Sequence, residues 1–162
     1  MKTFYLFRHG LATHSTHGYG DKIITAEILP EGILPIKRMA MFLKTIPSDF
    51  QVCSEFIRCR QTAEIVTNIA GKRFMFDGAI NEYAPELKEP FNNFQNRVKH
   101  FLKDLQQKPF QNIVICTHGA VIAAIKHLIV DGYFREKDLL NFPPCGALLI
   151  IEAKTVKQID FN

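Results

Sequence analysis

Residues 3–10 read Thr3-Phe-Tyr-Leu-Phe-Arg-His-Gly10, a short apolar run that ends in arginine, histidine and glycine. A near-continuous apolar run of this length is typical of a strand that is buried on both faces. Residues 112–119 repeat the pattern as Asn112-Ile-Val-Ile-Cys-Thr-His-Gly119. Buried strands that alternate with helices indicate an α/β fold built on a parallel sheet.

The remaining sequence alternates between helix and strand patterns. Apolar residues at helical spacing predict four helices, over residues 30–46, 58–70, 91–105 and 120–128. Shorter apolar runs predict strands at residues 50–54 and 73–77, and residues 146–152 and 155–161 predict an antiparallel hairpin. We therefore expect an α/β fold, a three-layer α/β/α sandwich with a mainly parallel central sheet and a C-terminal antiparallel hairpin. One domain is expected to span residues 1–162.

Composition excludes several classes of protein. The formal net charge is +4, and lysines and arginines are scattered along the chain, so we expect no nucleic-acid partner. No apolar run approaches the roughly 20 residues that a membrane span needs, so we expect no membrane association. The four cysteines have neither zinc-site spacing nor the density of a secreted disulfide scaffold, which favours a cytoplasmic location. Nothing in the sequence indicates an oligomeric state.

Two histidines stand at equivalent places, since His9 and His118 each follow a predicted buried strand and precede a glycine. If those strands are neighbours, the two imidazoles meet at one edge of the sheet. Glycine lets the backbone turn sharply, and the N-terminus of a following helix offers free N–H groups to an anion. The pattern outlines a phosphate site.

Three segments occur in a fixed order: Phe4-Tyr-Leu-Phe-Arg-His-Gly10, Ser54-Glu-Phe-Ile-Arg-Cys-Arg-Gln-Thr-Ala63 and Val114-Ile-Cys-Thr-His-Gly119. Together they resemble the signature segments of the histidine phosphatase superfamily, which includes the phosphoglycerate mutases. With the helix and hairpin pattern, the resemblance spans nearly the whole chain. The short chain is most similar to the small single-domain phosphatases of that superfamily.

The resemblance implies a role for each site residue. His9 would attack phosphorus as a neutral ring whose other nitrogen is held as N–H by a backbone carbonyl. Arg8 and Arg58 would bind the phosphoryl oxygens, and His118 would donate a hydrogen bond as charge spreads in the transition state. Gly10 is expected to contribute to substrate binding. The resemblance implies neither a metal ion nor another cofactor, because the protein supplies the cations.

A carboxylic acid is needed to protonate an alkoxide leaving group. Glu82 is the best candidate, because it follows Ile80-Asn81 in the irregular segment where the family carries its acid, although Glu86 and Glu89 are close in sequence. In an alternative interpretation, Glu82 is a solvated loop carboxylate.

The sequence departs from the family near the first motif. Many members of the family that this chain resembles continue Arg-His-Gly with Glu-Thr and then an Asn that contacts phosphate, whereas this chain has Leu11, Ala12 and, at the aligned position, Ser15. Ser15 could still donate a hydrogen bond to the substrate. His14 and His17 have a spacing that suits a metal, but with no third ligand evident they are interpreted as loop histidines.

The sequence favours a phosphatase that hydrolyses a phosphomonoester or phosphoramidate through a covalent phosphohistidine on His9. The substrate would be a phosphorylated small molecule or a phosphoprotein. One alternative is phosphoryl transfer of the phosphoglycerate mutase type, although the chain has little room for a lid that excludes water. The other is a non-catalytic phosphate-recognition module, in which loss of one of the two histidines would be expected.

Overall fold

The computed structural model describes residues 1–13 and 18–162. Six strands form one sheet and are numbered in chain order: β1 Thr3–Arg8, β2 Phe50–Cys53, β3 Met75–Phe76, β4 Asn112–Thr117, β5 Ala147–Glu152 and β6 Thr155–Asp160. The α-helices are α1 Ile33–Lys44, α2 Ile57–Ala70, α3 Phe91–Gln107 and α4 Gly119–Val130. Short 3₁₀ turns occupy Gly20–Lys22, Pro30–Gly32, Gly78–Ile80, Pro85–Leu87 and Glu136–Leu140.

The strand order across the sheet is β3-β2-β4-β1-β5-β6. Strands β1 to β4 pair in parallel, whereas β5 runs antiparallel to β1 and forms an antiparallel hairpin with β6. This topology confirms the predicted fold class. It also makes β1 and β4 neighbours, with Arg8 opposite Thr117. His9 and His118 therefore leave the same edge of the sheet side by side.

Side chains alternate between the two faces of the sheet, as strand geometry requires. Phe4 and Leu6 of β1 belong to one apolar cluster, which includes Phe94 of α3 and Ile122 of α4. The next residues along β1 belong to a second cluster on the opposite face, which holds buried side chains of α1 and α2. Burial on both faces explains why the inner strands read as continuous apolar runs.

The structure corrects two details of the predicted elements. The strand expected at residues 73–77 is reduced to Met75–Phe76, because β3 is the sheet edge and pairs only with the short strand β2. The first helix is α-helical only from Ile33, after a 3₁₀ turn that begins at Pro30. Leu29 caps that turn without a side-chain hydrogen bond. Within the described residues, no helix is both long and apolar enough to cross a membrane.

Candidate active site

Three parallel strands end at the same edge of the sheet, and one polar residue directly follows each of them. His9 follows β1, Ser54 follows β2 and His118 follows β4. Arg58 comes from the first turn of α2, which begins three residues after Ser54. All four side chains are buried. The structure thus brings His9, Arg58 and His118 together, as the sequence predicted.

A backbone carbonyl fixes the orientation of His9. Its Nδ1 lies 2.8 Å from the carbonyl oxygen of Gly10, and a carbonyl can only accept, so Nδ1 carries the proton. In the neutral ring, Nε2 then holds the free lone pair. The imidazole of His9 is 1% exposed, and its centroid lies 5.4 Å from that of His118. His9 therefore has the tautomer that a nitrogen nucleophile requires.

Burial lowers the pKa of His9 well below its usual range, because an imidazolium loses hydration inside the protein. Nearby Cys59 opposes this shift, whereas His118 and the guanidinium groups of Arg58 and Arg8 lower the His9 pKa further. His9 is consequently neutral at physiological pH and retains its nucleophilic lone pair.

The backbone N–H of Gly10, the residue expected to help bind substrate, donates to Thr62 Oγ1 at 2.8 Å. Thr62 in turn donates to the carbonyl of Arg58 at 2.7 Å, so it links the His9 loop to α2. A Cβ at Gly10 would lie 3.2 Å from the carbonyl oxygen of Gly32. In the structure, Gly10 thus orients His9 and permits a close approach of two backbones, while its N–H is already used by Thr62.

His118 lies in a chain of hydrogen bonds. Ser54 Oγ donates to Asn81 Oδ1 at 2.8 Å, so Ser54 has no second proton to give. The 2.8 Å contact between His118 Nε2 and Ser54 Oγ therefore assigns the proton to Nε2. The other ring nitrogen, Nδ1, lies 3.2 Å from a terminal nitrogen of Arg58 and accepts from it. His118 thus joins β2, α2 and the segment after β3.

Arg58 is a fully buried cation, 0% exposed. Its guanidinium donates to the carbonyl of Ile23 and to His118, while Nε is buried with no hydrogen-bond partner. Arg58 forms no ion pair with any residue in 1–13 or 18–162, the part of the chain that the structure describes. The ring of Tyr19 covers the guanidinium at 3.9 Å. A buried charge without a counterion is costly, so this arrangement favours an anion as its missing partner.

Arg8 lies on the other side of His9. Its charge is close enough to lower the pKa of His9, and its guanidinium lies 4.8 Å from the ring centroid of Phe142. The Nε atom of Arg8 is buried without a hydrogen-bond partner. The side chain also lines a cavity of about 380 Å³ between the loop after β1 and the segment before β5. Arg8 is therefore the second cation with unused hydrogen-bonding capacity beside His9.

The irregular segment that carries Glu82 is organised by Arg97 of α3. The guanidinium of Arg97 donates to the backbone carbonyls of Ala79, Asn81 and Glu82 at 2.7 to 3.0 Å. It also forms an ion pair with Glu89, with Nε 2.7 Å from Oε2. The Glu89 carboxylate therefore pairs with Arg97, and this ion pair stabilises the segment.

Glu82 and Glu86 both line a second cavity of about 470 Å³, together with Tyr19. Glu82 Oε1 accepts the N–H of Tyr83 at 3.0 Å, which holds its carboxylate near the start of the segment. Since Tyr19 also covers Arg58, this cavity adjoins the histidine and arginine cluster. The structure therefore places Glu82 and Glu86, of the three candidate acids, on the cavity beside the cluster.

Ser15, proposed as a substrate contact, lies outside the described residues, as do His14 and His17. Elsewhere in the chain, no group of three or more His, Cys, Asp and Glu side chains is arranged to hold a metal ion. Sequence reasoning assigned no separate role to Ser54 or Thr62, although both stand in the second motif and are fully buried. Polar residues at buried positions of a motif were the signal that could have identified them.

The family model of the histidine phosphatase superfamily (branch 1) matches residues 4–85 and 71–157, which is nearly the whole chain. The chain belongs to this superfamily. The strand ends that carry His9, Ser54 and His118, and the helix turn that carries Arg58, all lie within the matched regions. The buried cluster described above is therefore a candidate active site of a histidine phosphatase.

Several known phosphatases are similar to this chain. The α-ribazole phosphatase from Shigella flexneri superposes with a TM-score of 0.79, at 18% identity over 98% of this chain and 95% of the other. The protein histidine phosphatase SixA, solved with tungstate, has a TM-score of 0.71 and 15% identity, covering 98% and 97% of the two chains. A Hydrogenobacter thermophilus protein, named provisionally as phosphoserine phosphatase 2, is 21% identical in a match of 160 aligned positions, and the match covers 80% of this chain and 79% of that protein. The structural similarities show a shared fold.

Proposed function

We propose that this histidine phosphatase hydrolyses a phosphomonoester or phosphoramidate through a covalent phosphohistidine on His9. The observation that carries this proposal is the fully buried, ion-pair-free guanidinium of Arg58 beside a histidine whose Nδ1–H is held by a carbonyl. A protein gains nothing in stability from such a charge unless an anion completes the site. A phosphoryl group provides that anion and also the electrophile for Nε2 of His9.

In the first step, Nε2 of His9 forms a bond to phosphorus while the bond from phosphorus to the leaving group breaks. The bonding pair stays with the leaving atom, which receives a proton from the carboxylic acid of Glu82. Arg8 and Arg58 hold the phosphoryl oxygens, and His118 donates a hydrogen bond as their charge spreads. In the structure, His118 gives its Nε2–H to Ser54 and accepts from Arg58 at Nδ1. Phosphate binding would draw Arg58 toward the anion, and Nδ1 would then take a proton from a phosphate monoanion and donate it in a hydrogen bond to a phosphoryl oxygen.

In the second step, a water molecule attacks phosphorus and the bond to Nε2 breaks. Glu82, now a carboxylate, accepts a proton from that water, and inorganic phosphate leaves with His9 restored as a neutral ring. The cations that act on phosphate in both steps belong to the protein. We therefore propose that neither a metal ion nor another cofactor takes part.

The substrate is proposed to be a phosphorylated small molecule or a phosphoprotein that reaches the cavity beside Glu82. Cys53, Cys59 and Cys116 lie buried as free thiols on the same side of the sheet as α1 and α2. We propose a cytoplasmic location, because the cysteines have neither zinc-site spacing nor the density of a secreted disulfide scaffold.

Rapid-quench labelling tests the proposal directly. Incubating the protein in EDTA with a ³²P-labelled aryl phosphate should give a burst of labelled protein that decays at the rate of phosphate release. Phosphohistidine is stable to base and labile to acid, so the label should survive alkaline quench and disappear after acid treatment. Peptide mapping should place it on the peptide that contains His9.

The opposite results are equally clear. Turnover that stops in EDTA, or a label on another residue, would contradict metal-independent phosphohistidine catalysis. Tight phosphate binding without any labelling or release would indicate a phosphate-recognition module. Transfer of the label to an isomer of the substrate, without release of phosphate, would indicate a mutase.

Glu82→Gln tests the proposed proton donor. Glutamine cannot protonate an alkoxide, so kcat/KM for an alkyl phosphate should fall by about 10²- to 10³-fold. The fall should be much smaller for 4-nitrophenyl phosphate, because nitrophenolate leaves without a proton. Phosphate release from both substrates, compared as kcat/KM, gives the measurement.

Glu86→Gln is the matched control, since Glu86 lines the same cavity and its replacement removes the same charge. It should lower both rates little and equally. If Glu86→Gln showed the dependence on leaving group and Glu82→Gln did not, the acid would be Glu86. An equal loss on both substrates in Glu82→Gln would exclude general-acid catalysis by Glu82.

A further inference from the structure

The cavity of about 470 Å³ beside the phosphate cluster lies where a leaving group would extend. Two of its wall residues contact the cluster. Tyr19 stacks on Arg58, and Phe142 lies over Arg8 and against Gly119, so close that a Cβ on Gly119 would lie 2.8 Å from the ring. Glu82, the proposed acid, forms part of the same wall. A phosphoester held by the two arginines therefore places its leaving group in this cavity.

Most of the wall is apolar or aromatic. The residues Tyr19, Ile23, Tyr83, Leu139, Leu140 and Phe142 supply it. Leu140 is 83% exposed, although it is a large apolar side chain beside a cavity. A bound apolar group would cover this surface and remove it from water.

The acidic residues Glu82, Glu86 and Glu136 line the cavity, and no basic residue lines it within the part of the chain that the structure describes. Burial raises the pKa of Tyr83, and the negative charges of Glu136, Glu89 and Glu86 raise it further. The tyrosine hydroxyl thus experiences a negative potential in the cavity wall. The site has cations where the phosphoryl group binds and anions where the leaving group extends.

We infer that this cavity selects phosphoesters whose leaving group has an apolar body and carries either no charge or a positive charge. It disfavours leaving groups that carry a carboxylate or a second phosphate. The inference rests on the proposed function, because it assumes that the phosphoryl group binds at the His9 cluster. An ammonium group in the cavity would approach Glu86 and Glu136, whereas a carboxylate would be repelled by both. Repulsion between the acidic side chains and a ligand of the same charge sign discriminates strongly between ligands.

Three aryl phosphates with matched leaving groups test the inference: tyramine phosphate, 4-ethylphenyl phosphate and the phosphate of 3-(4-hydroxyphenyl)propanoate. All are para-alkyl phenol esters, so the acidity of the leaving phenol is similar and only the distal charge differs. At low ionic strength kcat/KM should decrease from the ammonium to the ethyl to the carboxylate compound, by about tenfold or more between the extremes. Added salt should narrow the difference, because both glutamates are exposed.

Glu136→Lys provides the test within the protein. Glu136 lies on the 3₁₀ turn Glu136–Leu140 and lines the cavity, so the readout is the ratio of kcat/KM values for the ammonium and carboxylate compounds and not the rate for any single ester. The preference for the ammonium compound should fall at least threefold or reverse. Glu64→Lys makes the same change in net charge on the outer surface of α2, where Glu64 lines a different cavity, and should leave the preference intact.

Equal kcat/KM values for the three esters, or the same preference in wild type and Glu136→Lys, would overturn the inference. Failure of the proposed function would look different, since none of the esters, nor 4-nitrophenyl phosphate, would release phosphate. In that case, the dissociation constants of the same three esters, measured by calorimetry, show whether the cavity still discriminates between the ligands. The same order of affinity supports a selective cavity, and equal affinities exclude it.

Discussion

Replacing Arg58 with methionine is expected to make the protein more stable while it slows phosphate release by about 10²- to 10³-fold. The activity falls because the phosphoryl oxygens lose a buried cation that strengthens its contacts as negative charge spreads. The stability rises because a guanidinium that is 0% exposed and lacks a carboxylate partner is removed from the interior. Apolar replacement of buried charge has gained about 1 to 4 kcal/mol in other proteins. We expect about 1 kcal/mol here, since the carbonyl of Ile23 loses its donor.

Urea unfolding, in parallel with kcat/KM for an aryl phosphate, measures both changes. Arg97→Met is the matched control, because Arg97 is also largely shielded from solvent but pairs with Glu89 and holds three backbone carbonyls. Losing those contacts should destabilise the protein by about 2 to 3 kcal/mol. We expect the free energy of unfolding to rise in Arg58→Met and to fall in Arg97→Met. A comparable loss of stability in both variants would mean that Arg58 serves the fold and not an anion.

Most of the strands and helices could be predicted from the sequence because they bury apolar side chains at a regular spacing. Helix α3 is the clearest case, since Phe94, Val98 and Leu105 all face the core. The strand at Met75–Phe76 was overestimated because its residues are exposed at a sheet edge. Its length depends on the partner strand β2, which periodicity within 73–77 does not reveal.

The site was predictable to the extent that its residues follow strands. His9 and His118 each end a parallel strand, so the neighbouring positions of β1 and β4 were enough to bring them together. The contacts of Tyr19, Phe142 and Arg97 could not be predicted from the positions of strand ends. They come from loops and from a helix distant in sequence, and they reach the site only through the tertiary packing.

The same limit applies to Gly10. Its position after the strand correctly indicated a constrained backbone, but nothing in the local motif indicates that Thr62, 52 residues away, accepts its N–H. The local motif therefore identified the residue, and the packing of α2 decided what its backbone does. Hydrogen bonds between distant segments assign roles that motif spacing leaves open.

Replacing His9 with asparagine is expected to lower phosphate release by on the order of 10⁴-fold or more, since the proposed nucleophile Nε2 is removed. Asparagine retains an N–H that can reach the carbonyl of Gly10, so the local fold should survive. His100→Asn, at an exposed position on α3, is the control and should retain full activity. Labelling that persists in His9→Asn would exclude His9 as the phosphoryl carrier.

The same variant should change how stability depends on pH. Burial lowers the pKa of His9 in the folded protein well below 6.5, whereas the unfolded chain binds its proton near that value. Below about pH 6.5 the unfolded state therefore holds a proton that the folded state lacks, and wild-type stability is lost as pH falls, at up to about 1.4 kcal/mol per pH unit. Asparagine does not titrate, so urea unfolding of His9→Asn between pH 7.5 and 5 should show a shallower loss than wild type. Parallel curves would mean that His9 binds its proton equally well in both states. The neutral, carbonyl-held ring on which the phosphohistidine mechanism depends would then be unsupported.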